Sequence, residues 1–207
     1  MKCTSRLLTA AIIALLAILI AWPGQAFAAE FSADLIRSGG GDKETSKVFI
    51  KGDLRREEVM EDGEVGAINI SRPDKGVTWN LMPEDRMYME IPLQEASLGA
   101  QGNIESLESS AKMQLMGKET VNGYVCEKRR YDPNEKGMGS VIAWYSPKLD
   151  YPVKVHIMAY GGEGDMVLEY KNIKAGKIPD SQFEIPKGYE KFGIPGMPGG
   201  MPAGMGK

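Results

Sequence analysis

Two short segments with alternating side chains, within residues 72–92, constrain the fold more than any other part of the chain. A side-chain period of two is typical of a β-strand with one buried face. Turn-forming residues stand before the first segment, at 73–76, and between the two, at 83–86. The pattern therefore predicts an antiparallel hairpin with one apolar face, shared by both strands. Its residues are Val77, Trp79, Leu81, Met87, Met89 and Ile91.

The rest of the chain predicts more strands of the same kind. Residues 151–160 and 166–174 extend the apolar face through Val153, Val155, Ile157 and Leu168. Asn122-Gly123 is a strong hairpin signal because both turn positions favour positive φ. We expect a mainly β (α+β) domain, with a curved antiparallel sheet or incomplete β-barrel of about nine to eleven strands.

Residues 93–110 are the one stretch with helical periodicity. Apolar residues recur at intervals of three and four, while Gly99 and Gly102 interrupt the run, so one or two short helices are expected. These helices follow the apolar hairpin directly and are predicted to act as a lid over it. The lid residues are Leu93, Ala96, Ile104 and Leu107.

The two ends of the chain differ in composition from the middle. Residues 1–28 carry Lys2 and Arg6, an apolar run and a small-x-small motif at 26–28, which predicts a removable export signal rather than an uncleaved anchor. Residues 193–207 are rich in glycine, proline and methionine, which predicts a disordered tail. Its thioethers could bind copper(I), but a linker or sticky end is the preferred interpretation. The expected domain is residues 29–192.

Charge and cysteine content exclude several functions. Removal of the signal leaves 25 − 2 = 23 basic and 28 acidic residues, a net charge of −5, which argues against nucleic-acid binding. Cys126 is the one cysteine left; it is expected to be buried, and the alternative is an intermolecular disulfide. The carboxylates of the segment lack the spacing of a calcium loop and are interpreted as a solvated acidic turn. They belong to Glu57, Glu58, Glu61, Asp62 and Glu64.

Catalytic motifs are not apparent in the sequence. His156 is the one histidine and is expected to be exposed on a strand, Cys126 has no evident base, and no serine lies in a nucleophile-elbow motif. We therefore expect a protein that is not an enzyme and that has no cofactor and no metal.

Four segments together resemble the LolA/LolB-like fold group of exported lipoprotein carriers and, more closely, an uncharacterised exported bacterial domain family. They are RPDKGVTWNLMPEDRMYMEIP, GKETVNGYVCEKRRYD, AWYSPKLDYPVKV and LEYKNIKAGKIPDSQFEIPKGYEKF. The resemblance implies an incomplete antiparallel barrel around an apolar cavity with a helical lid, located in the periplasm of a Gram-negative bacterium. It also implies a part in the sorting of outer-membrane lipoproteins.

The leading hypothesis is a binding module for an apolar ligand, such as a lipid or a lipoprotein acyl chain, held by the apolar face listed above. The same residues could instead be filled core beneath the lid. The alternative function is an envelope protein-interaction or stress-sensor domain without a lipid ligand. Under both hypotheses, we expect that the protein is not an integral membrane protein once the signal is removed.

Overall fold

The computed structural model describes residues 29–93, 111–134, 139–158 and 164–193. The predicted export signal, the lid residues Ala96, Ile104 and Leu107, and residues 194–207 of the C-terminal tail lie outside these ranges. Leu93 is described and is half-buried, and its backbone N–H donates to the carbonyl of Gly76 (2.9 Å). No helix within the described ranges has the length and hydropathy that a membrane span needs.

The described chain folds into strands with two 3₁₀ helices. The strands are β1 (Glu30–Gly39), β2 (Asp42–Lys51), β3 (Leu54–Glu61), β4 (Glu64–Arg72), β5 (Val77–Met82), β6 (Met87–Pro92), β7 (Ala111–Val121), β8 (Tyr124–Pro133), β9 (Val141–Ser146), β10 (Tyr151–Ile157), β11 (Met166–Ala175) and β12 (Glu190–Lys191). The 3₁₀ helices are Pro73–Lys75 and Asp180–Phe183.

All of these strands belong to one open sheet, in the order β12-β6-β5-β4-β3-β2-β1-β11-β10-β9-β8-β7. Every pairing is antiparallel except that of the two-residue β12, which runs parallel to β6. The predicted curved antiparallel sheet is therefore confirmed. It has twelve strands among the described residues because β12 adds one to the expected range.

Local sequence explains why the strands begin and end where they do. In β1 the buried residues Phe31, Ala33 and Leu35 alternate with half-buried ones, as a period of two requires. The β7–β8 hairpin turns at Asn122 and Gly123, with φ values of 49° and 83°. Positive φ at both positions is what a two-residue hairpin turn needs, so the prediction from Asn-Gly is confirmed.

Long-range contacts show which face of the sheet is concave. Arg55 on β3 donates from Nη1 to the hydroxyl of Tyr170 on β11 (3.0 Å), although two strands lie between them in the sheet. Asn122 in the β7–β8 turn donates to the carbonyl of Tyr170 (2.9 Å), across β9 and β10. The sheet therefore curls over the face that carries Phe31, Arg55 and Tyr170, and we call it the concave face.

The two halves of the sheet bury their cores on opposite sides. In the closed half (β1, β2 and β8–β11), the main core includes Phe31, Leu35, Val48 and Val153, on the concave face. In the open half (β3–β6), the apolar core lies on the convex face, where residues 176–192 cross the strands. This convex core consists of Ile68, Ile70, Trp79, Leu81, Ile178 and Phe183.

Candidate functional site

The register of the β5–β6 hairpin separates the six residues predicted to share one apolar face. Trp79 pairs with Glu90, and Asn80 pairs with Met89. Directly paired residues of an antiparallel ladder point to the same side of the sheet. Val77, Trp79 and Leu81 therefore point to the convex face, whereas Met87, Met89 and Ile91 point to the concave face. The predicted shared stripe was wrong, because alternation within each strand does not set the register between them.

The convex-facing residues of β5 are covered by another segment of the same chain. Trp79 is 6% exposed and Leu81 is fully buried, and both pack in the convex core with Phe183, while Val77 packs against that core. The Trp79 indole N–H donates to the Glu90 carboxylate (3.0 Å). Residues 176–192 thus seal this face.

Arg72 fixes that C-terminal segment in place. Its guanidinium donates to the carbonyl of Phe183 (2.8 Å) and to the carboxylates of Glu184 (2.6 Å) and Asp74 (2.7 and 2.8 Å). The hydrogen bond from Arg72 to Asp74 raises the pKa of Arg72, and so do the hydrogen bond and ion pair with Glu184. Together they outweigh burial, which lowers this pKa. The convex face of the open half therefore packs against the protein's own C-terminal segment.

Four other predicted ligand-binding residues lie on the concave face but within packed core. Val153, Val155 and Leu168 are buried members of the main core, at 0%, 8% and 6% exposure. Ile157 is half-buried and packs against that core. In the closed half, the sheet curls over its concave face, and the side chains of the main core fill the space.

The remaining predicted residues form a half-buried patch on the concave face of the open half. Met87, Met89 and Ile91 line β6, and Met82 joins them because it pairs with Met87. We call these four the methionine strip. They belong to neither apolar core of the described chain. Met82 was not predicted, although its position in β5, in step with Thr78 and Asn80, gives its side.

Polar residues continue the concave face next to the strip. Thr78 and Asn80 on β5 pair with Ser71 and Asn69 on β4, and all four are half-buried. The Asn80 amide donates to the side-chain oxygen of Asn69 (2.7 Å). The open half therefore offers an apolar strip beside a polar floor, rather than the uniformly apolar face that was expected.

A buried ion network lies at the inner end of this floor, on β1 and β3. Oε2 of Glu57 accepts from Arg37 (2.8 Å) and from Arg55 (2.9 Å), and Oε1 lies 2.5 Å from Nη1 of Arg37. Burial raises the pKa of Glu57, but the hydrogen bonds and positive charges of Arg37 and Arg55 outweigh it and lower the pKa to about 2. Arg55 Nη1 also lies 3.4 Å from the Tyr151 hydroxyl.

The interpretation of Glu57 as part of a solvated acidic turn was wrong, because Glu57 is 5% exposed and points inward from β3. The signal was present in the sequence: Arg55, Glu57 and Val59 occupy alternate positions of a strand whose end is the acidic turn. Counting carboxylates over the segment concealed that alternation.

The remaining chemically notable residues do not converge on a site. Nε2 of His156 lies 2.8 Å from the carboxylate of Asp165 near the surface, and Cys126 is fully buried as a free cysteine. Burial raises the pKa of its thiol. Within the described ranges, no group of three histidine, cysteine or carboxylate residues could hold a metal ion.

Comparison with known families places the chain. The profile of a domain of unknown function, DUF4412, matches residues 34–149, more than half of the 207 residues. The chain belongs to this family. A search of curated proteins found no match. The expected resemblance to an uncharacterised domain family is confirmed.

Solved structures share the fold of this DUF4412 protein at low sequence identity. An uncharacterised conserved protein from Thermus thermophilus matches with a TM-score of 0.56 and 12% identity, over 81% of this chain and 91% of that one. A chain of the Pseudomonas aeruginosa MucA/MucB complex matches with a TM-score of 0.52 and 13% identity, over 78% of this chain and 57% of that one. A LolA superfamily protein from Nitrosomonas europaea aligns at 13% identity over 76% of this chain and 90% of that one, but its TM-score of 0.42 is below the level that shows a shared fold. At these identities the likeness concerns the fold alone.

Proposed function

We propose that this protein is a non-enzymatic binding module that holds the apolar chain of a lipid or a lipoprotein on the concave face of its open half. Its place of action would be the periplasm, after removal of residues 1–28. The observation that carries the proposal is the methionine strip, whose side chains lie on the concave side and are only half-buried. Methionine side chains repack readily around flexible ligands.

The magnitude of apolar burial favours a long chain as the ligand. Each buried methylene contributes roughly 0.8 kcal/mol, so a chain of 16 carbons contributes about 12 kcal/mol. Association costs at least about 4 kcal/mol in lost translational and rotational freedom. The difference, about 8 kcal/mol, corresponds to a micromolar Kd, whereas a chain half as long would bind only in the millimolar range or weaker.

Displacement of a fluorescent hexadecanoate analogue from the purified mature protein tests the proposal. Met87→Gln/Met89→Gln should weaken binding by about tenfold, because two apolar contacts are exchanged for amides. The matched control is Met113→Gln/Met116→Gln on the exposed edge strand β7, where binding should stay at the level of the unaltered protein. Absence of binding, together with lipid-free protein on gentle purification, would refute it.

A second candidate function rests on β7 itself. This strand of 11 residues lies at the edge of the sheet, and its Met113, Leu115 and Met116 are 51%, 57% and 48% exposed. Such an edge can pair with an extended segment of an envelope protein. The chain of the MucA/MucB complex, which shares the fold, comes from an assembly of two proteins. A photo-crosslinker at Gln114 should then give a discrete protein adduct in cells, and one at Met89 should not.

A further inference from the structure

On the concave face, the ion network of Arg55 and Glu57 lies in the same rows of paired residues as the methionine strip. Arg55 pairs with Ser71, Ser71 with Thr78, and Thr78 with Ile91, so these four side chains form one row across β3–β6. In the next row, Glu57 is connected to Met89 through Asn69 and Asn80. Three strand spacings of about 4.8 Å separate the ends of each row, or roughly 14 Å. A chain lying on the strip can therefore direct its end along the polar floor to Arg55.

Two arginines share one buried carboxylate at that end. Glu57 is the one carboxylate within ion-pair distance of Arg55 among the described residues, and it also pairs with Arg37. The next carboxylate, Glu44, lies 3.8 Å from Arg37 and is 48% exposed at the rim. Buried charges are costly unless they are paired. Arg55 thus shares its carboxylate partner with a second guanidinium and can bind an additional anion, whereas the Glu44 carboxylate lies beside Arg37.

Two phenol hydroxyls adjoin Arg55: that of Tyr170, which is 4% exposed, and that of Tyr151, which is half-buried. Its Nη1 lies 3.0 Å from the Tyr170 hydroxyl and 3.4 Å from the Tyr151 hydroxyl, and the two hydroxyls are 3.4 Å apart. The Arg55 side chain is 27% exposed, so it is accessible from the concavity. A planar guanidinium beside two phenol groups matches the geometry of a carboxylate or a phosphate.

The arginines on the convex face differ in this respect. Arg72 pairs with two carboxylates, those of Asp74 and Glu184, and Arg56 pairs with Glu58 and donates to the carbonyl of Gln182. Each of them has a carboxylate that no second arginine shares, and each holds the C-terminal segment. The shared carboxylate and the greater exposure therefore distinguish Arg55 from Arg56 and Arg72.

We propose that the ligand of the open half is an amphiphile with an anionic head group, and that Arg55, beside Tyr151 and Tyr170, binds the anion while the methionine strip binds the far end of the chain. This inference rests on the proposed binding of an apolar chain and adds the charge of its head group. Carboxylate and phosphate share the recognised chemistry: a compact oxyanion on a single apolar chain.

The test is competition for the fluorescent probe by three ligands of equal chain length: tetradecanoate, tetradecyl phosphate and tetradecanol, delivered from cyclodextrin to the mature protein. At least one anion should displace the probe at about one-tenth of the tetradecanol concentration, because a charge-assisted hydrogen bond is stronger than a neutral one. The anion that competes better identifies a fatty-acid or a phosphate head group. Arg55→Gln should abolish the preference for the anions over tetradecanol, and Arg55→Lys should retain part of it.

The outcomes separate this inference from the proposed function. If no ligand displaces the probe because none binds, the binding function itself is wrong. If tetradecanol competes as well as both anions in the unaltered protein, the chain is bound but the head-group inference is overturned. This comparison needs no variant, so it stands even if Arg55→Gln fails to fold. Tyr151→Phe/Tyr170→Phe retains both charges and should reduce the anion preference by a smaller factor than Arg55→Gln.

Discussion

The closed and open halves belong to one continuous sheet, yet they bury opposite faces. The closed half curls over its concave face and fills it with residues such as Phe31 and Val153. The open half has its convex face covered by residues 176–192, with Phe183 at the centre, and its concave face stays half-buried. The change occurs at β3, where Arg55 points inward and Arg56 points outward to the C-terminal segment. A sheet can thus stabilise itself on one side and keep the other side available for a ligand.

The largest loss of stability should come from a substitution in residues 176–192, which cover the convex face of the open half. Phe183 is fully buried against the convex core, so Phe183→Ala should lower the free energy of unfolding by about 4 kcal/mol through lost burial and a cavity. Urea denaturation of the mature protein measures this. Phe192, which is 42% exposed in the same segment, is the matched control, and Phe192→Ala should change stability by less than about 0.5 kcal/mol. Equal, small effects of the two substitutions would show that the segment does not cover a core.

The ion network at the junction should make stability depend on acid pH. The pKa of Glu57 is lowered to about 2, so its contribution is complete above its ordinary pKa of 4.5 and is lost as pH falls towards 2. That shift corresponds to about 3 kcal/mol. Glu57→Gln should lower stability at neutral pH by about this amount and flatten the dependence between pH 4.5 and 2.

Urea denaturation at a series of pH values measures the effect of Glu57. Glu64→Gln, at the exposed start of β4, is the control and should leave the profile unchanged. An unaltered acid profile in Glu57→Gln would contradict the assignment of the buried pair.

A smaller loss of stability should come from removing the contact between Asn122 and β11, which stabilises the curved closed half. The Asn122 side chain donates to the carbonyl of Tyr170 (2.9 Å) and to the carboxylate of Glu169 (3.1 Å). Asn122→Gly keeps the positive φ but removes these bonds, and should cost about 1 kcal/mol in the free energy of unfolding. Asn122→Ala should cost more, since alanine disfavours positive φ. Thermal unfolding distinguishes the two variants, and no loss in Asn122→Gly would show that the contact does not support the curl.

The smallest effect on stability is expected in the methionine strip. Met89 is half-buried and belongs to neither core, so Met89→Ala should lower the free energy of unfolding by less than about 1 kcal/mol. Urea denaturation again gives the value. A loss near 3 kcal/mol would identify Met89 as core and remove the difference between the two faces of the open half.

The sequence predicts the strands of this protein well because their pattern is local. Alternation and turn residues indicate β5, β6 and the Asn122-Gly123 hairpin without reference to the rest of the chain. The face that each strand buries depends on distant segments. Trp79 was assigned to a ligand face because residues 178–192 have no periodicity that marks them as its cover. Glu57 was assigned to solvent because its partners, Arg37 and Arg55, are brought together only by the register of β1–β3.

The central claim, that the concave face of the open half binds an apolar chain, is tested most directly by NMR of ¹³C-labelled methionine methyl groups. Tetradecanoate is titrated into the mature protein, and each methyl signal is assigned by single substitution. The account predicts that the signals of Met82, Met87 and Met89 shift in a saturable manner, whereas those of Met113 and Met116 on the edge strand do not. Shifts confined to Met113 and Met116, or no shift at saturating ligand, would contradict it.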